Sequence, residues 1–213
     1  MSDAVYTIGH STHSIERFMA LLRQHSVTAL CDVRSRPYSR MNPQFNRESL
    51  KKDLREAGIK YVFLGEELGA RSEDKSCYRN GQVQYDLLAK TALFRRGIDR
   101  IKDGAREYRV ALMCAEKEPL ECHRTILVAR RLFEEGAPVM HIHADGHVEE
   151  HSQAIERLIT MLRVPTADMF RSQDAVVSDA YQHQAEQIAY REQTSSEPVS
   201  NQDCHGPVHG VGE

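Results

Sequence analysis

No window of this 213-residue chain approaches the roughly eighteen consecutive apolar residues that a membrane span requires. A membrane-embedded role is therefore not expected. The first ten residues, MSDAVYTIGH, lack both a basic stretch and an apolar stretch, so no secretion signal is expected either. Charge of one sign is not in excess: 28 Lys and Arg against 31 Asp and Glu leave a formal charge of −3. Such a balance creates no overall field to draw in nucleic acid or an anionic membrane, and any anion binding must come from a local patch. Cysteine is sparse, odd in number at five, and irregularly spaced. Without an export signal, this predicts free thiols and a cytoplasmic location rather than a disulfide framework. Internal repeats are absent as well.

The named catalytic motifs are also missing. There is no Walker loop, no GxGxxG after the first strand and no GxSxG elbow. A phosphatase loop needs Arg six positions after Cys, but Leu120 stands there after Cys114 and Val128 after Cys122. Cys114 and Cys122 are too far apart for a CxxC redox pair. Zinc ligands fall in close pairs in the standard sites. The spacing of Cys114, Cys122, His123 and His10 offers no such pairing, so no metal and no cofactor is expected.

What remains is an ordinary globular composition, 40% hydrophobic and 28% charged, with strand-like and helix-like segments in alternation. Val5–Ile8, Val27–Val33, Ile59–Leu64, Arg109–Cys114 and Val139–His143 read as strands. Between them, a helix follows Ser14, with Ile15, Phe18, Met19 and Leu22 on one face. Arg47–Ala57 and Cys122–Glu135 also read as helices, and Gln82–Lys102 as one that Gly97 could break. Gly65–Gly69 reads as a turn, Arg71–Gly81 as a polar loop, and Glu150–Leu162 as a last amphipathic helix. This alternation predicts one α/β domain over residues 1–164: three layers, with a mainly parallel sheet of about five strands covered by helices. Residues 165–213 are rich in Gln, Ser, Glu and His and predict a flexible polar tail, with one short helix near Val176–Arg191. Cys204, His205 and His209 in that tail match no standard metal site. His141, His143, His147 and His151 are expected at the surface.

In open parallel sheets, ligands bind beyond the carboxyl ends of the strands. Applied here, that rule gathers His10 and Ser11 from the first strand, Asp32, Arg34 and Arg36 from the second, and Arg71 from beyond the third. The fourth contributes Cys114, Glu116, Cys122, His123 and Arg124. Arginine is shaped to grip phosphate or carboxylate with two parallel hydrogen bonds, so Arg34 and Arg36 are candidate anion holders, with Arg124 behind them. His10 and His123 titrate near neutrality and are candidate proton carriers, with Asp32 or Glu116 orienting a histidine or acting as base. Cys122, in the first turn of its helix beside His123 and Arg124, meets the conditions for a thiolate nucleophile. It also shares a face with Ile126, Ala129 and Phe133, which would make it a core residue.

The blocks TIGHST, DVRSRPYSR, GIKYVFLGEELGAR and MCAEKEPLECHR, in this order and spacing, resemble the bacterial and archaeal domain of unknown function 488 family over about Tyr6–His151. The resemblance implies an α/β fold and assigns no activity. It marks as site positions His10, Ser11, Asp32, Arg34, Pro37, Gly65, Arg71, Cys114, Glu116, Cys122, His123 and Arg124. Cys31 departs from the aliphatic residue expected before the DVR block. Taken together, the residues suggest an enzyme, a hydrolase or transferase, acting on a phosphate-bearing ligand such as a nucleotide or a nucleic-acid end. Two alternatives stay open: a non-catalytic module that binds nucleic acid or protein, and a redox sensor that joins Cys114 to Cys122.

Overall fold

The computed structural model describes residues 4–165 and 171–192. Six strands form one sheet: β1 (Val5–Gly9), β2 (Ala29–Asp32), β3 (Lys60–Phe63), β6 (Val110–Cys114), β7 (Val139–Ile142) and β8 (Val148–Glu150), in the order β3-β2-β6-β1-β7-β8. The first five run parallel, as the alternating pattern predicts, and β8 adds an antiparallel edge to β7. The separate two-residue strands β4 (Tyr78–Arg79) and β5 (Gln82–Val83) form a small hairpin.

Helices cover both faces. On one side, α1 (Ile15–Gln24) and α2 (Arg47–Glu56) press Phe18, Leu22, Leu50 and Leu54 against Ile8, Leu30 and Met113 of the sheet. Ser14 caps α1 by accepting a 3.2 Å bond from the Arg17 amide, as its sequence position predicts. On the other side lie α3 (Gly65–Leu68), α4 (Tyr85–Leu88), α5 (Ala92–Gly104), a π-helical stretch Arg124–Ala129 that continues into α6 (Arg130–Glu134), and α7 (His151–Leu162). α8 (Gln173–Ile188) joins this second layer through buried Val176, Ala180 and Tyr181. The expected boundary at residue 164 thus falls between α7 and α8, which share one core; residues 166–170 and 193–213 of the expected tail, including Cys204, His205 and His209, lie outside the described residues.

Some local expectations fail for identifiable reasons. Gly65–Leu68 is one helical turn rather than a plain turn. Gln82–Lys102 divides into β5, α4 and α5, because Thr91 caps a new helix by accepting from the Phe94 amide. Gly97 does not break α5. A Cβ there would come within 2.7 Å of Leu68, so the glycine is where α5 and α3 touch. The histidine stretch is only partly superficial. His141 and His151 are buried, and a chain of short contacts runs from Thr7 Oγ1 to His141 Nδ1 (2.8 Å), from His141 Nε2 to His151 Nδ1 (2.9 Å) and from His151 Nε2 to the Tyr181 hydroxyl (2.7 Å). Period-2 alternation places His141 on the same face of β7 as core residue Val139, which turns it inward.

The sheet order fixes where a site can form. β1 and β6 are neighbours, but the chain leaves β1 for the α1 layer and leaves β6 for the α6 layer. Their carboxyl ends therefore open a crevice, the switch point at which α/β sheets bind ligands.

Candidate functional site

Two groups of polar side chains meet at that crevice. The first is a buried knot. Asp32 accepts from Arg34 Nε at 2.9 Å and from Nη2 at 2.7 Å, a bidentate pair with Arg34 6% exposed and Asp32 fully buried. The Tyr61 hydroxyl donates to the same carboxylate at 2.9 Å, and Arg34 Nη2 also donates to the Phe45 carbonyl. Arg34 Nη1 lies 3.1 Å from His10 Nε2, while His10 Nδ1 bonds the Ser11 carbonyl and the ring stacks on Phe45 at 4.4 Å. A guanidinium can only donate, so Nε2 is the bare nitrogen and Nδ1 carries the proton. Burial holds His10 neutral and lowers it to about 4, against the pull of the Ser11 carbonyl. Arg34, His10 and Asp32 thus satisfy one another and brace the ends of β1 and β2.

The second group surrounds a pocket of about 270 Å³. Its walls include Arg34, Arg36, Arg71 and Tyr85, its floor Cys114, Glu116 and His123, and α8 closes it through Ile188 with Tyr190 just beyond. Among the described residues, neither Arg36 nor Arg71 has a carboxylate partner; the Arg71 guanidinium lies 4.6 Å from the Tyr190 ring centre. Arg34 also faces the pocket, but its bonds inside the knot already engage most of its donors.

At the floor, Cys114 Sγ lies 3.6 Å and Cys122 Sγ 3.8 Å from His123 Nδ1. Cys122 Sγ is 2.9 Å from Glu116 Oε2. His123 Nε2 is 3.0 Å from the Val33 carbonyl, which fixes the proton on Nε2 and leaves the Nδ1 lone pair aimed at the sulfurs. Burial drives the Cys114 thiol well above the usual range, and the neighbouring Cys122 adds to the effect. For Cys122, burial also resists the thiolate, but the Cys114 thiol, the Arg124 guanidinium and His123 outweigh it and hold Cys122 well below the ordinary thiol range. Partial desolvation beside the pocket raises Glu116, as does Cys122. His123 is raised even though its burial works the other way, because Cys122 and Glu116 favour the imidazolium.

Cys122 is not in a helical first turn. Its backbone is extended (φ −132°, ψ 140°), its carbonyl accepts from the Thr125 and Ile126 amides, and its sulfur accepts from the Arg124 amide at 3.4 Å. It therefore acts as the cap of the helix that begins with the π-helical stretch. Phe133, expected to share its inward face, is 45% exposed, since the π-helical stretch alters the helical phase. Arg124 is fully buried and donates to the Glu116 and Lys117 carbonyls, tying the β6 loop to the helix. Gly9 lets that loop approach: a Cβ there would sit 1.9 Å from the Glu116 carbonyl oxygen.

Of the residues expected from sequence, Arg34, Arg36, Arg71, Cys114, Glu116 and His123 line the pocket, with Cys122 directly beneath Glu116. His10 and Asp32 lie in the knot, Arg124 is interior, and Ser11 occupies a turn at φ +48° outside the lining. Tyr85, Ile188 and Tyr190 were not foreseen. Ile188 and Tyr190 lie in the segment assigned to the tail, and Tyr85 in a segment read only as helix. The grouping of Cys114, Cys122 and His123 takes in Glu116 rather than His10. Cys114, Glu116, Cys122 and His123 present donor atoms that all lie within 4.8 Å of one another. The four come together because the loop between β6 and the helix folds back, which spacing along the chain does not reveal. Cys31, read as core, is core: burial raises its thiol to about 12. Among the described residues, no helix is long and apolar enough to cross a membrane.

Comparison with curated proteins and with solved structures finds no match. A family model described as Domain of unknown function DUF488 matches residues 14–131, just over half of the chain, and takes in the β2, β3 and β6 ends and the Cys-His-Arg segment that build the pocket. On that match, the chain belongs to the DUF488 family.

Proposed function

We propose that this protein is an enzyme, a hydrolase or transferase, that takes the phosphate end of a ligand into the pocket beyond the carboxyl ends of β2 and β6. The observation that carries this reading is the pair Arg36 and Arg71: two guanidiniums without carboxylate partners beside a small cavity with a thiol, an imidazole and a carboxyl at its floor. Arginine forks match phosphate oxygens, and an unpaired guanidinium gains most from an anionic partner. At about 270 Å³, the cavity is below the usual range for whole drug-sized ligands, which suits a terminal phosphate rather than an entire nucleotide.

The loop beyond Arg36 favours a larger ligand whose remainder stays outside. Tyr38 is 69% and Met41 88% exposed, with Arg40 between them. An exposed aromatic beside basic residues is a surface on which a base can stack. A nucleotide or nucleic-acid end therefore fits better than a free anion. Cys122 lies beneath Glu116 rather than on the wall, so this reading does not use it as the attacking nucleophile.

Inorganic phosphate, nucleoside monophosphates and 5′-phosphorylated oligonucleotides should each raise the melting temperature. Arg36→Ala or Arg71→Ala should weaken binding about tenfold or more, by loss of charge-assisted hydrogen bonds. Tyr38→Ala should weaken only the oligonucleotide. If the wild-type protein is stabilised by none of these ligands, the pocket is not a phosphate site.

A further inference from the structure

We infer that Cys114, Cys122, His123 and Glu116 form a binding site for one thiophilic divalent cation of the zinc class. This goes beyond the anion-gripping role of Arg36 and Arg71 and stands on other side chains.

The geometry is that of a coordination shell rather than of a packed core. A tetrahedral ion about 2.3 Å from sulfur and about 2.0 Å from nitrogen separates those two donors by roughly 3.6 Å. The two sulfur–Nδ1 separations are 3.6 and 3.8 Å. All four donors already lie within 4.8 Å of each other, so an ion could be enclosed with little movement beyond opening the 2.9 Å Cys122–Glu116 contact.

The surroundings repeat the features that support metal ligands. His123 gives its Nε2 proton to the Val33 carbonyl at 3.0 Å, which orients the ring and frees Nδ1, the arrangement that positions metal-binding histidines. The Arg124 amide points at Cys122 Sγ. Arg124 itself is fully buried, donates only to backbone carbonyls and has an unpartnered Nε, so it lacks a carboxylate counter-charge among the described residues. Buried charges require compensation. Two thiolates and a carboxylate around a dication leave one net negative charge beside that guanidinium. Glu116 is solvent-exposed at the pocket while the other three are buried, which makes it the exchangeable ligand. Thiolate and imidazole donors select zinc-like ions over magnesium or calcium. On binding, the cysteine protons are released to solvent.

The test uses the full chain, reduced and stripped with a chelator, then titrated with zinc and separately with cobalt. One equivalent of each should bind. Cobalt should develop the thiolate charge-transfer and visible bands of a tetrahedral site, and zinc should displace it. Cys114→Ser and Cys122→Ser should lose those bands and weaken binding about a hundredfold or more. Cys31→Ser and Cys204→Ser should keep them. The wild-type titration is decisive even if a variant fails to fold: a reduced chain that takes up neither ion overturns the inference. So does a cobalt spectrum unchanged in both Cys114→Ser and Cys122→Ser, because the ion is then held elsewhere. Phosphate stabilisation is read separately. A normal cobalt spectrum without any phosphate effect would refute the pocket's proposed ligand and support the metal site.

Discussion

Arg34 shows how one side chain can belong to a site without being free to serve it. Sequence marks it as an anion holder, since an arginine after a strand in a basic loop is shaped for that task. The structure instead closes it on Asp32, and no local pattern distinguishes an arginine that grips a ligand from one that grips the preceding aspartate two residues away. Arg36, named with it as an anion holder, has the opposite outcome: of the three pocket arginines, it and Arg71 have no carboxylate partner among the described residues. The Asp32–Arg34 pair makes a sharp prediction. Removing one partner of a buried ion pair strands the other charge, so Asp32→Ala should cost about 3–5 kcal/mol in urea unfolding. Asp32→Asn, which keeps the shape and one acceptor oxygen for Arg34, should cost less. Equal and small effects in both variants would mean that water reaches Arg34.

At the scale of elements, the parallel strands and their helices were legible because their apolar periodicities are strong and their caps are standard. What stayed hidden was determined by contacts across the fold. The β8 edge strand is three residues long and polar in sequence, so it carries no signal of its own. A helix near α8 is expected from the sequence, but not its docking onto the body, which a buried tyrosine and Gln184, donating to the Leu120 carbonyl at 2.9 Å, secure. The histidine chain that connects β7, α7 and α8 also predicts a pH effect. Burial lowers His151 from 6.5 to about 4, with Glu149 opposing. Between those values the unfolded chain binds a proton that the folded chain refuses, so stability is full above pH 6.5 and falls as the pH drops toward 4. The loss from this one group is on the order of 3 kcal/mol. Urea midpoints measured at neutral and mildly acidic pH should show the decline, and His151→Gln should flatten part of it. An identical slope in the variant would assign the acid sensitivity to other groups.

For the molecule as a whole, the crevice follows from strand order. Segments more than a hundred residues apart, from β1 to the helix after β6, converge because β1 and β6 are neighbours whose chains depart to opposite faces. The rule that ligands gather at carboxyl ends was enough to name six of the pocket's lining residues from the sequence alone. It could not name Ile188 and Tyr190, which arrive from beyond α7 and reach the pocket only through the packing of α8. A chain ending at Val164 should therefore lose phosphate affinity and, with the partners of Val176, Ala180 and Tyr181 exposed, melt at a lower temperature. Unchanged affinity in that shortened chain would show that the C-terminal wall is dispensable.

Because α8 both contributes Ile188 to the cavity lining and is anchored to the body through Tyr181 and Gln184, occupancy and attachment of this arm are energetically coupled. A bound guest would slow the arm's detachment, and a protease would remove α8 less readily. Limited digestion could thus report on what the cavity holds before any reaction is known.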